Sequence, residues 1–199
     1  AFHEYCAHNK NNVIYLIISE KFAQWAMDNG CASLIEFGEE LTLNPCQDDP
    51  VQGAKGALLR KKIRRAIREG VAVFEYLEKD LALEQQIDLI VNSWLINRSG
   101  PQVYIANVKL FEDCFGKRWF YARQGETIVG IALLNRLEKR QGWLLSQIFL
   151  HPQAPTGVSE ILVATIVETL AKENCVYITF GAVPAQMLGK IEGLGNFSK

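Results

Sequence analysis

The chain has 199 residues, of which 49% are hydrophobic and 22% charged, and its formal net charge is −1. This is the composition of a folded globular protein with a core of its own, so it excludes intrinsic disorder, collagen and disulfide-stapled mini-proteins. The near-zero net charge also excludes a protein whose whole surface binds polyanions, because that role requires a strong basic excess.

Cysteine and histidine usage argues against both disulfides and metal sites. The five cysteines are odd in number and widely spaced, and none belongs to a Cys-x-x-Cys pair. This favours a reducing compartment, the cytoplasm. The histidines do not cluster with them at ligand spacing, so no metal site is predicted. No apolar run approaches the roughly 18 residues of a membrane helix, so no transmembrane segment is predicted in this chain. Because the chain starts without Met and stops within an apparent element, we expect a piece of a longer polypeptide.

The first half of the chain alternates predicted strands and helices. Ser19 is typical of a residue that caps a helix N-terminus, and Gly30 and Gly70 are typical of residues that end helices. Together with hydrophobic periodicity, these signals predict strands at residues 13–18, 33–37 and 71–77 and helices at 20–29, 57–69 and 81–96. The composition of residues 44–56 predicts a loop.

The pattern changes after Ser99-Gly100-Pro101. Successive antiparallel strands are predicted at residues 119–122, 127–135 and 143–150. They are followed by a loop at 151–157, a helix at 158–173, a strand at 176–180 and a last helix after Pro184. Because helices must cover the faces of a mostly antiparallel sheet, this order predicts an α+β domain. The first half shows a rougher version of this order, so we expect two similar domains, at residues 1–95 and 96–199.

One predicted helix carries a strong local charge. Residues 55–70 contain seven basic residues and one acidic residue. Arg60, Arg64 and Arg68 are spaced at i, i+4 and i+8, so they are predicted to share one exposed face opposite a buried apolar stripe. This face could bind the phosphates of tRNA or of anionic lipid headgroups. The alternative is a solvated helix whose late arginines suit the negative end of the helix dipole.

The loop at residues 151–157 leads into a helix N-terminus. Such an end offers free N–H groups and a partial positive charge, so it can hold an anion, and Gly157 would permit a close backbone approach. This order is similar to that of acyl-CoA N-acyltransferases of the GNAT superfamily, which bind the CoA pyrophosphate there. The loop departs from their Gln/Arg-x-x-Gly-x-Gly/Ala pattern, and Pro155 lacks an N–H donor. The alternative is a plain strand–helix connection.

Several blocks of sequence match one family. The main ones are Gly56-x-x-Leu59-Arg60 with the basic helix, Pro152-x-Ala154-Pro155-x-Gly157-x-x-Glu160-x-Leu162, and Tyr177-x-x-Phe180-Gly181-x-x-Pro184. Glu69-Gly70-Val71, Trp94 and Phe120–Gly130 match as well. On these blocks the chain, from about residue 12 to residue 190, resembles the C-terminal domain family of phosphatidylglycerol lysyltransferases. An Asp-x-x-Arg signature usually precedes the Pro-x-Ala-Pro block in that family. Here residues 145–151 contain neither Asp nor Arg.

The resemblance implies a fold and an activity. The implied fold is two tandem GNAT-like acyltransferase domains, each a mostly antiparallel sheet flanked by helices. The implied activity moves an aminoacyl group from aminoacyl-tRNA to the hydroxyl of a lipid such as phosphatidylglycerol, or to a similar acceptor, without a cofactor. Aminoacyl-tRNA and an anionic lipid are the implied partners, and the inner face of the membrane is the implied location.

Ester aminoacyl transfer needs a base for the acceptor hydroxyl and donors for the oxyanion, but no nucleophilic side chain. Glu160 and His151 are the candidate catalytic residues. Their alternatives are a carboxylate that caps the helix and an ordinary loop histidine. Gly181 follows a strand end, where it could mark a cleft between splayed strands or only a turn. The candidate substrate-binding residues are Gly157, Gly181, Arg60, Arg64 and Arg68.

Two other functions are compatible with the sequence. The strand–loop–helix order also suits an acyl-CoA-dependent N-acetyltransferase, with acetyl-CoA as its cofactor. The missing Asp-x-x-Arg signature also suits a non-catalytic relative that only binds its partners. Salt-dependent binding of tRNA would favour the aminoacyltransferase, whereas displacement by CoA would favour the acetyltransferase.

Overall fold

A computed structural model describes residues 2–36, 38–97, 109–184 and 191–192. The chain divides into two compact units, one formed by Ala1–Glu40 with Ala182–Lys199 and the other by Leu41–Gly181. Every candidate site residue lies in the second unit.

The described residues form five α-helices and eight β-strands. The helices are α1 (Phe2–His8), α2 (Glu20–Asp28), α3 (Ala57–Arg68), α4 (Leu81–Asn97) and α5 (Val158–Lys172). The strands are β1 (Leu34–Ile35), β2 (Gly38–Leu43), β3 (Val71–Tyr76), β4 (Lys117–Gln124), β5 (Thr127–Leu137), β6 (Gly142–Leu150), β7 (Ile178–Pro184) and β8 (Ile191–Glu192). A short 3-10 helix, Glu138–Arg140, precedes β6. No helix in the described ranges is both long and apolar enough to span a bilayer.

The main sheet has six strands in the order β2-β7-β6-β5-β4-β3. Strands β3 to β6 pair antiparallel with their neighbours, and β6 pairs parallel with β7. Helices α3 and α5 pack on one face of this sheet, and α4 packs on the other. The predicted mixed α+β class, with a mostly antiparallel sheet flanked by helices, is therefore confirmed.

The prediction of two tandem domains is wrong. The described residues contain one large sheet rather than two, and β3 from the first half of the chain pairs with β4 from the second half, for example Val73 with Ala122. The described residues also contain a two-stranded sheet of β1 and β8. A second large sheet would have needed the predicted strand at residues 13–18, and these residues form no strand. Ile14 is 82% exposed, and Ile17 has a φ of 55°, which is unfavourable for a β-branched residue and interrupts an extended run.

Most other predicted elements are confirmed. The basic helix, the helix at 81–96 and the helix at 158–173 are α3, α4 and α5, and the predicted strands of the second half are β4 to β7. Ser19 caps α2, because its Oγ accepts a hydrogen bond from the N–H of Phe22 at 3.3 Å. The strand at 33–37 is reduced to β1, whereas α1 and β2 were not predicted. The last helix predicted after Pro184 falls on residues 185–190, outside the described residues.

The two faces of the main sheet bury separate clusters. Successive side chains of a strand point to opposite faces, so Leu133 and Leu134 belong to different clusters. The cluster on the α5 side includes Ala66, Phe120, Leu134, Trp143, Val158, Leu162 and Ile166. The cluster on the α4 side includes Ile87, Ile90, Val91, Trp119, Ile131, Leu133 and Phe149. The candidate site residues lie in α3, in or just before α5, just after β6, and in β7.

Arg118 on β4 links β3 to the end of α5 on one face of the main sheet. Its guanidinium donates to Glu75 on β3 at 2.6 and 2.9 Å, and to Glu173 at the end of α5 at 2.7 Å through each of two nitrogens. Burial alone would lower the pKa of Arg118, but the hydrogen bonds to both glutamates outweigh it and raise that pKa. The arginine therefore stays charged at every pH at which the protein folds, and its charge is matched by two carboxylates.

Candidate functional site

Gly157 allows helix α3 to lie directly against the start of α5. It is the N-cap of α5 and has a φ of 103°, a conformation that glycine adopts readily. A Cβ at this position would lie 2.2 Å from the backbone oxygen of Lys62 and 3.2 Å from the Cβ of Ala66. The α3 backbone therefore fills the space that a side chain at residue 157 would need. Helix packing alone is sufficient to explain this glycine.

Glu160, in the first turn of α5, is paired with α3. Lys62 Nζ donates to Glu160 Oε1 at 2.7 Å, and Ser159 Oγ donates to Glu160 Oε2 at 2.8 Å. Burial raises the pKa of Glu160, but the hydrogen bonds from Lys62 and Ser159 outweigh burial, so the pKa lies below its ordinary value. The carboxylate is therefore ionised at neutral pH and is a poor proton acceptor.

The N-terminus of α5 thus already holds a negative charge. Glu160 also accepts a hydrogen bond from its own backbone N–H, one of the groups that a helix leaves without an intrahelical partner at this end. A carboxylate here is stabilised by the helix dipole. The anion site expected at this helix end is therefore occupied, at least in part, by a side chain of the helix itself, with Lys62 as its counter-ion.

His151 lies just past the end of β6. Its backbone N–H donates to the carbonyl of Val129 at 3.0 Å, and its Nδ1 accepts a hydrogen bond from the backbone N–H of Gln153 at 3.1 Å. In the neutral ring this leaves Nε2 as the protonated nitrogen. The lone pair that would accept a substrate proton is therefore engaged within the loop, in a contact that is exposed to solvent.

Arg60 does not share the exposed face of α3. Its guanidinium turns back to the preceding loop, where it donates to the carbonyls of Val51 and Gly53. It therefore holds the loop against the helix and is only half exposed. The exposed cations of α3 are Lys61, Arg64, Arg65 and Arg68.

These four residues, Lys61, Arg64, Arg65 and Arg68, form what we call the basic face. Arg65 is partly neutralised by an exposed ion pair with Glu69, at 2.8 Å between Nε and Oε1. A shallow depression of about 330 Å³ is lined by Arg65, Arg68 and Glu69. Exposed ion pairs contribute little to stability, so the basic face remains available to a polyanion.

Strands β6 and β7 pair briefly and then part. Among the described residues, their parallel pairing joins Trp143 to Ile178 and Leu144 to Thr179 and goes no further. On its other edge β6 stays paired with β5 as far as Leu150. The stretch Leu145–Leu150 therefore presents one edge of backbone N–H and C=O groups from which β7 has departed.

Gly181 lies where β7 has left β6. Its φ is 79°, so the backbone departs from an extended conformation there. Its N–H donates to Thr179 Oγ1 at 3.1 Å, and that buried hydroxyl donates in turn to the carbonyl of Leu41 at 3.1 Å. This geometry is compatible with the predicted cleft between splayed strands.

The structure brings only some of the predicted residues together. Gly157 and Glu160 meet α3 at Lys62. His151 is instead bonded to its own loop and to Val129 on β5, and Gly181 is bonded to Thr179. Lys62 was not singled out in the sequence because nothing distinguishes it from its six basic neighbours. Only the close approach at residue 157 selects it as the partner of Glu160.

Metal chemistry has no visible basis in the part of the chain that is described. There, no group of three or more His, Cys, Asp or Glu side chains could hold a metal ion. The five cysteines are all free.

Comparison with known proteins identifies one family and several solved structures of similar fold. The family described as phosphatidylglycerol lysyltransferase, C-terminal, matches residues 1–198. No curated protein matches this sequence.

Three solved structures share the fold. The C-terminal domain of a protein assigned as a lysylphosphatidylglycerol synthetase from Agrobacterium fabrum has a TM-score of 0.78 at 18% identity, over 93% of this chain and 58% of that chain. L-PGS from Bacillus licheniformis has a TM-score of 0.76 at 16% identity, over 93% and 59%. A conserved protein of unknown function from Bacteroides thetaiotaomicron has a TM-score of 0.67 at 13% identity, over 90% and 63%. The chain thus spans about three fifths of the length of these proteins.

We predict that Gly157→Ala strongly destabilises the second unit. The substitution adds a Cβ that collides with the α3 backbone as well as backbone strain, so we expect a loss of about 3 kcal/mol in the free energy of unfolding by urea denaturation. Gly70→Ala is the matched control, because Gly70 has a φ of 81° with open space around it. It should lose only about 1 kcal/mol, from strain alone. Equal losses in the two variants would show that α3 does not press on residue 157.

The Glu160–Lys62 pair should make stability depend on acid pH. The pKa of Glu160 is lower in the folded state than in the unfolded state, so the unfolded state binds more protons and stability rises with pH in that window. The pair stabilises the protein fully above the ordinary pKa of about 4.3 and is lost as pH falls through the folded-state value. Urea denaturation of the native chain and of Glu160→Gln should therefore show a stability difference at pH 7 that shrinks below pH ~4. A difference independent of pH would contradict the pairing.

Proposed function

The chain belongs to the phosphatidylglycerol lysyltransferase C-terminal family, and from this premise we propose that it transfers an aminoacyl group from aminoacyl-tRNA to a hydroxyl of an anionic lipid. The donor amino acid and the lipid are part of the proposal, as is action at the inner face of a membrane. The proposal needs no cofactor, because the aminoacyl ester is already activated.

The parting of β6 and β7 is the observation that carries the proposal. An acyl carbonyl that enters beside Leu145–Leu150 can accept hydrogen bonds from backbone N–H groups of β6 that no longer face β7. Backbone donors held by a sheet are preorganised, so they stabilise the oxyanion that develops during attack on the ester. Family membership supports an aminoacyl ester as the acyl group.

The transfer itself is a simple exchange of esters. The lipid hydroxyl oxygen attacks the aminoacyl carbonyl carbon, a new carbon–oxygen bond forms, and the bond to the ribose oxygen of the tRNA breaks. The proton of the attacking hydroxyl ends on the departing ribose oxygen. No covalent enzyme intermediate is required, so the step needs no nucleophilic side chain.

His151 is the better of the two candidate bases. It directly follows β6, so it stands at the end of the edge that is unpaired among the described residues. Its lone pair is held by one solvent-exposed backbone N–H, that of Gln153, which a substrate hydroxyl could displace. Glu160 is held by both Lys62 and Ser159 and has a lowered pKa. We therefore propose that Glu160 positions α3 and that His151 accepts the proton.

The basic face supplies the affinity for polyanions. Its cations lie on the helix that is anchored at Gly157 and Glu160, so they are fixed relative to the catalytic strands. Both proposed substrates, tRNA and anionic lipid, carry phosphates that such a face attracts.

Acyl-CoA-dependent acetyl transfer is the second candidate, favoured by the confirmed order of β6, loop and α5. Its cofactor would be acetyl-CoA, bound through phosphates at the N-terminus of α5. The Glu160 carboxylate and the α3 backbone already occupy part of that end, so a pyrophosphate would meet both like charge and steric obstruction. This argument supports the aminoacyl reaction over the acetyl reaction.

We expect filter binding to detect a saturable complex with a charged aminoacyl-tRNA pool that weakens steeply with salt. Arg64→Gln/Arg68→Gln should reduce the slope of log affinity against log salt by about 2, one for each phosphate contact removed. The matched control is Lys139→Gln/Arg140→Gln, which removes the same charge from the 3-10 helix and should leave the slope unchanged. Equal effects of the two pairs, or displacement of tRNA by acetyl-CoA, would overturn the role assigned to α3.

We also expect the chain to move label from radiolabelled aminoacyl-tRNA into lipid. Phosphatidylcholine vesicles that contain phosphatidylglycerol should acquire label in the extracted lipid. Vesicles that contain phosphatidic acid in its place are equally able to attract cations but offer no alcohol hydroxyl, so they should acquire none. Transfer of acetyl from acetyl-CoA in place of aminoacyl transfer would identify the second candidate instead.

A further inference from the structure

Two aromatic side chains lie at the outer edge of the main sheet and are open to solvent. Phe74 on β3 is directly opposite Tyr121 on β4, and their rings stack with centroids 5.6 Å apart. Phe74 is 40% exposed and Tyr121 is half-buried. Tyr121 packs against the cluster on the α4 side, and directly opposite residues share a face, so both rings lie on that side. Helix α4 packs mainly on β5 and β6 and leaves this outer pair partly uncovered.

An arginine completes the stack of rings. The guanidinium carbon of Arg123, near the end of β4, lies 5.2 Å from the centroid of the Phe74 ring. Arg123 is half-buried, and in the described part of the chain it takes part in no ion pair. Its charge is therefore not neutralised by a carboxylate described there. We call Phe74, Tyr121 and Arg123 the aromatic platform.

The composition of the aromatic platform suits unpaired nucleotides. A cross-strand aromatic pair stabilises a sheet by packing, and that role would be served equally well by rings that other elements cover. An exposed pair beside an unneutralised guanidinium is instead typical of surfaces that bind single-stranded nucleic acid. Bases stack on aromatic rings and on guanidinium planes, while the positive charge attracts the phosphates.

The aromatic platform adjoins the basic face of α3. Helix α3 ends at Arg68, and β3 follows it closely. Gln124, the residue after Arg123, donates from Nε2 to the carbonyl of Glu69 at 2.6 Å, so the end of β4 is bonded to the end of α3. The shallow depression beside Arg68 lies at this same end of α3. Cations that can bind phosphates and rings that can stack bases therefore lie next to each other at the outer edge of the sheet.

The aromatic platform lies within reach of the proposed reaction site. One row of paired residues, Phe74, Tyr121, Ile131 and Phe149, crosses the sheet from the platform to the open edge of β6, near His151. The row covers three spacings between strands, about 14 Å. Nucleotides stacked as in a helix advance about 3.4 Å each, so about four of them cover this distance. The unpaired 3′ end of tRNA, which carries the aminoacyl ester, is of this length.

We propose that the aromatic platform stacks an unpaired base from the 3′ end of the donor tRNA, while the basic face binds phosphates of the same RNA. This inference rests on the proposed aminoacyl transfer and names the surface that binds the single-stranded part of its donor. The middle of the row is buried on the α4 side, so the nucleotides that connect the platform to β6 pass the exposed turn at residues 125–127.

The test is fluorescence anisotropy with a labelled RNA hairpin that copies the acceptor stem of a tRNA and ends in its unpaired 3′ nucleotides. A blunt hairpin, in which these nucleotides are paired, carries more phosphates but offers no free base. We expect the chain to bind the hairpin with the unpaired end about fivefold to hundredfold more tightly, the usual effect of stacking one base. Equal binding of the two hairpins, or tighter binding of the blunt one, overturns the inference.

Variants of Phe74 separate stacking from charge. Phe74→Leu keeps an apolar side chain but removes the ring, so affinity for the unpaired end should fall about fivefold to hundredfold at every salt concentration. The slope of log affinity against log salt should stay the same, because no phosphate contact is lost. Phe74→Tyr keeps a ring and should bind as the native chain does, which excludes a general loss of folding.

Phe115→Leu is the matched control for the loss of an exposed ring. Phe115 is 88% exposed and precedes β4, at the end of that strand remote from Arg123. The control variant should bind both hairpins as the native chain does. An equal loss in Phe115→Leu and Phe74→Leu, or a changed salt slope in Phe74→Leu, would show that Phe74 does not act by stacking a base.

The outcomes distinguish this inference from the proposed function. Unchanged affinity in Phe74→Leu overturns the aromatic platform even if label passes from aminoacyl-tRNA to lipid. A preference for the unpaired end that depends on Phe74, in a chain that transfers no label, upholds the platform as an RNA-binding surface and overturns the proposed transfer instead.

Discussion

The close approach of two helices at Gly157 is the constraint from which the arrangement of the second unit follows. Because residue 157 has no Cβ, the backbone of α3 rests directly on the start of α5, with the Lys62 carbonyl where a side chain would be. This contact turns Ala66 into the cluster on the α5 side and Lys62 toward Glu160. The opposite side of α3 must then face solvent. The absence of a Cβ at Gly157 thus determines which cations of α3 are exposed.

The same contact makes the N-terminus of α5 a poor site for the candidate chemistry. A strand–loop–helix unit usually offers its helix N-terminus to an anion, but here Glu160 is that anion and Lys62 is its counter-ion. Among the described residues, the edge of β6 beyond Leu144, which β7 has left, is a place where backbone donors can meet a substrate. In the proposed function the basic face would attract the phosphates at a distance, and the strand edge would act at the reacting carbonyl.

Local sequence patterns predicted most elements of the second unit but not how they assemble. Hydrophobic periodicity and glycine stops were sufficient for α3, α4, α5 and the strands β3 to β6, because each buries one face against the same sheet. They could not show that β3 pairs with β4, since the register between distant strands is not encoded in either one. The strand predicted at residues 13–18 is wrong because local composition alone does not decide the conformation. Its composition suits a strand, yet Ile17 has a positive φ and Ile14 is exposed, so tertiary context overrides propensity.

The residue types of the candidate site were easier to predict from the sequence than the role of each residue. Spacing on a helix placed Arg60 with Arg64 and Arg68, but a guanidinium can reach backbone carbonyls of a neighbouring loop, and Arg60 does so at Gly53. Likewise a glutamate at a helix start suits catalysis and capping equally well in sequence. Only the distance to Lys62 and the resulting pKa favour a structural role.

The two faces of the main sheet differ in how completely their buried polar groups are matched. On the α5 side, Arg118 meets two carboxylates and Glu160 meets Lys62, so the charges described there are used in holding the fold together. On the α4 side, Trp119 and Gln147 keep a donor and an acceptor without partners. A fully matched polar network rigidifies a structure, whereas an unmatched pair costs stability that binding of a complementary ligand can restore. Rigidity is therefore the contribution of the matched charges on the α5 side.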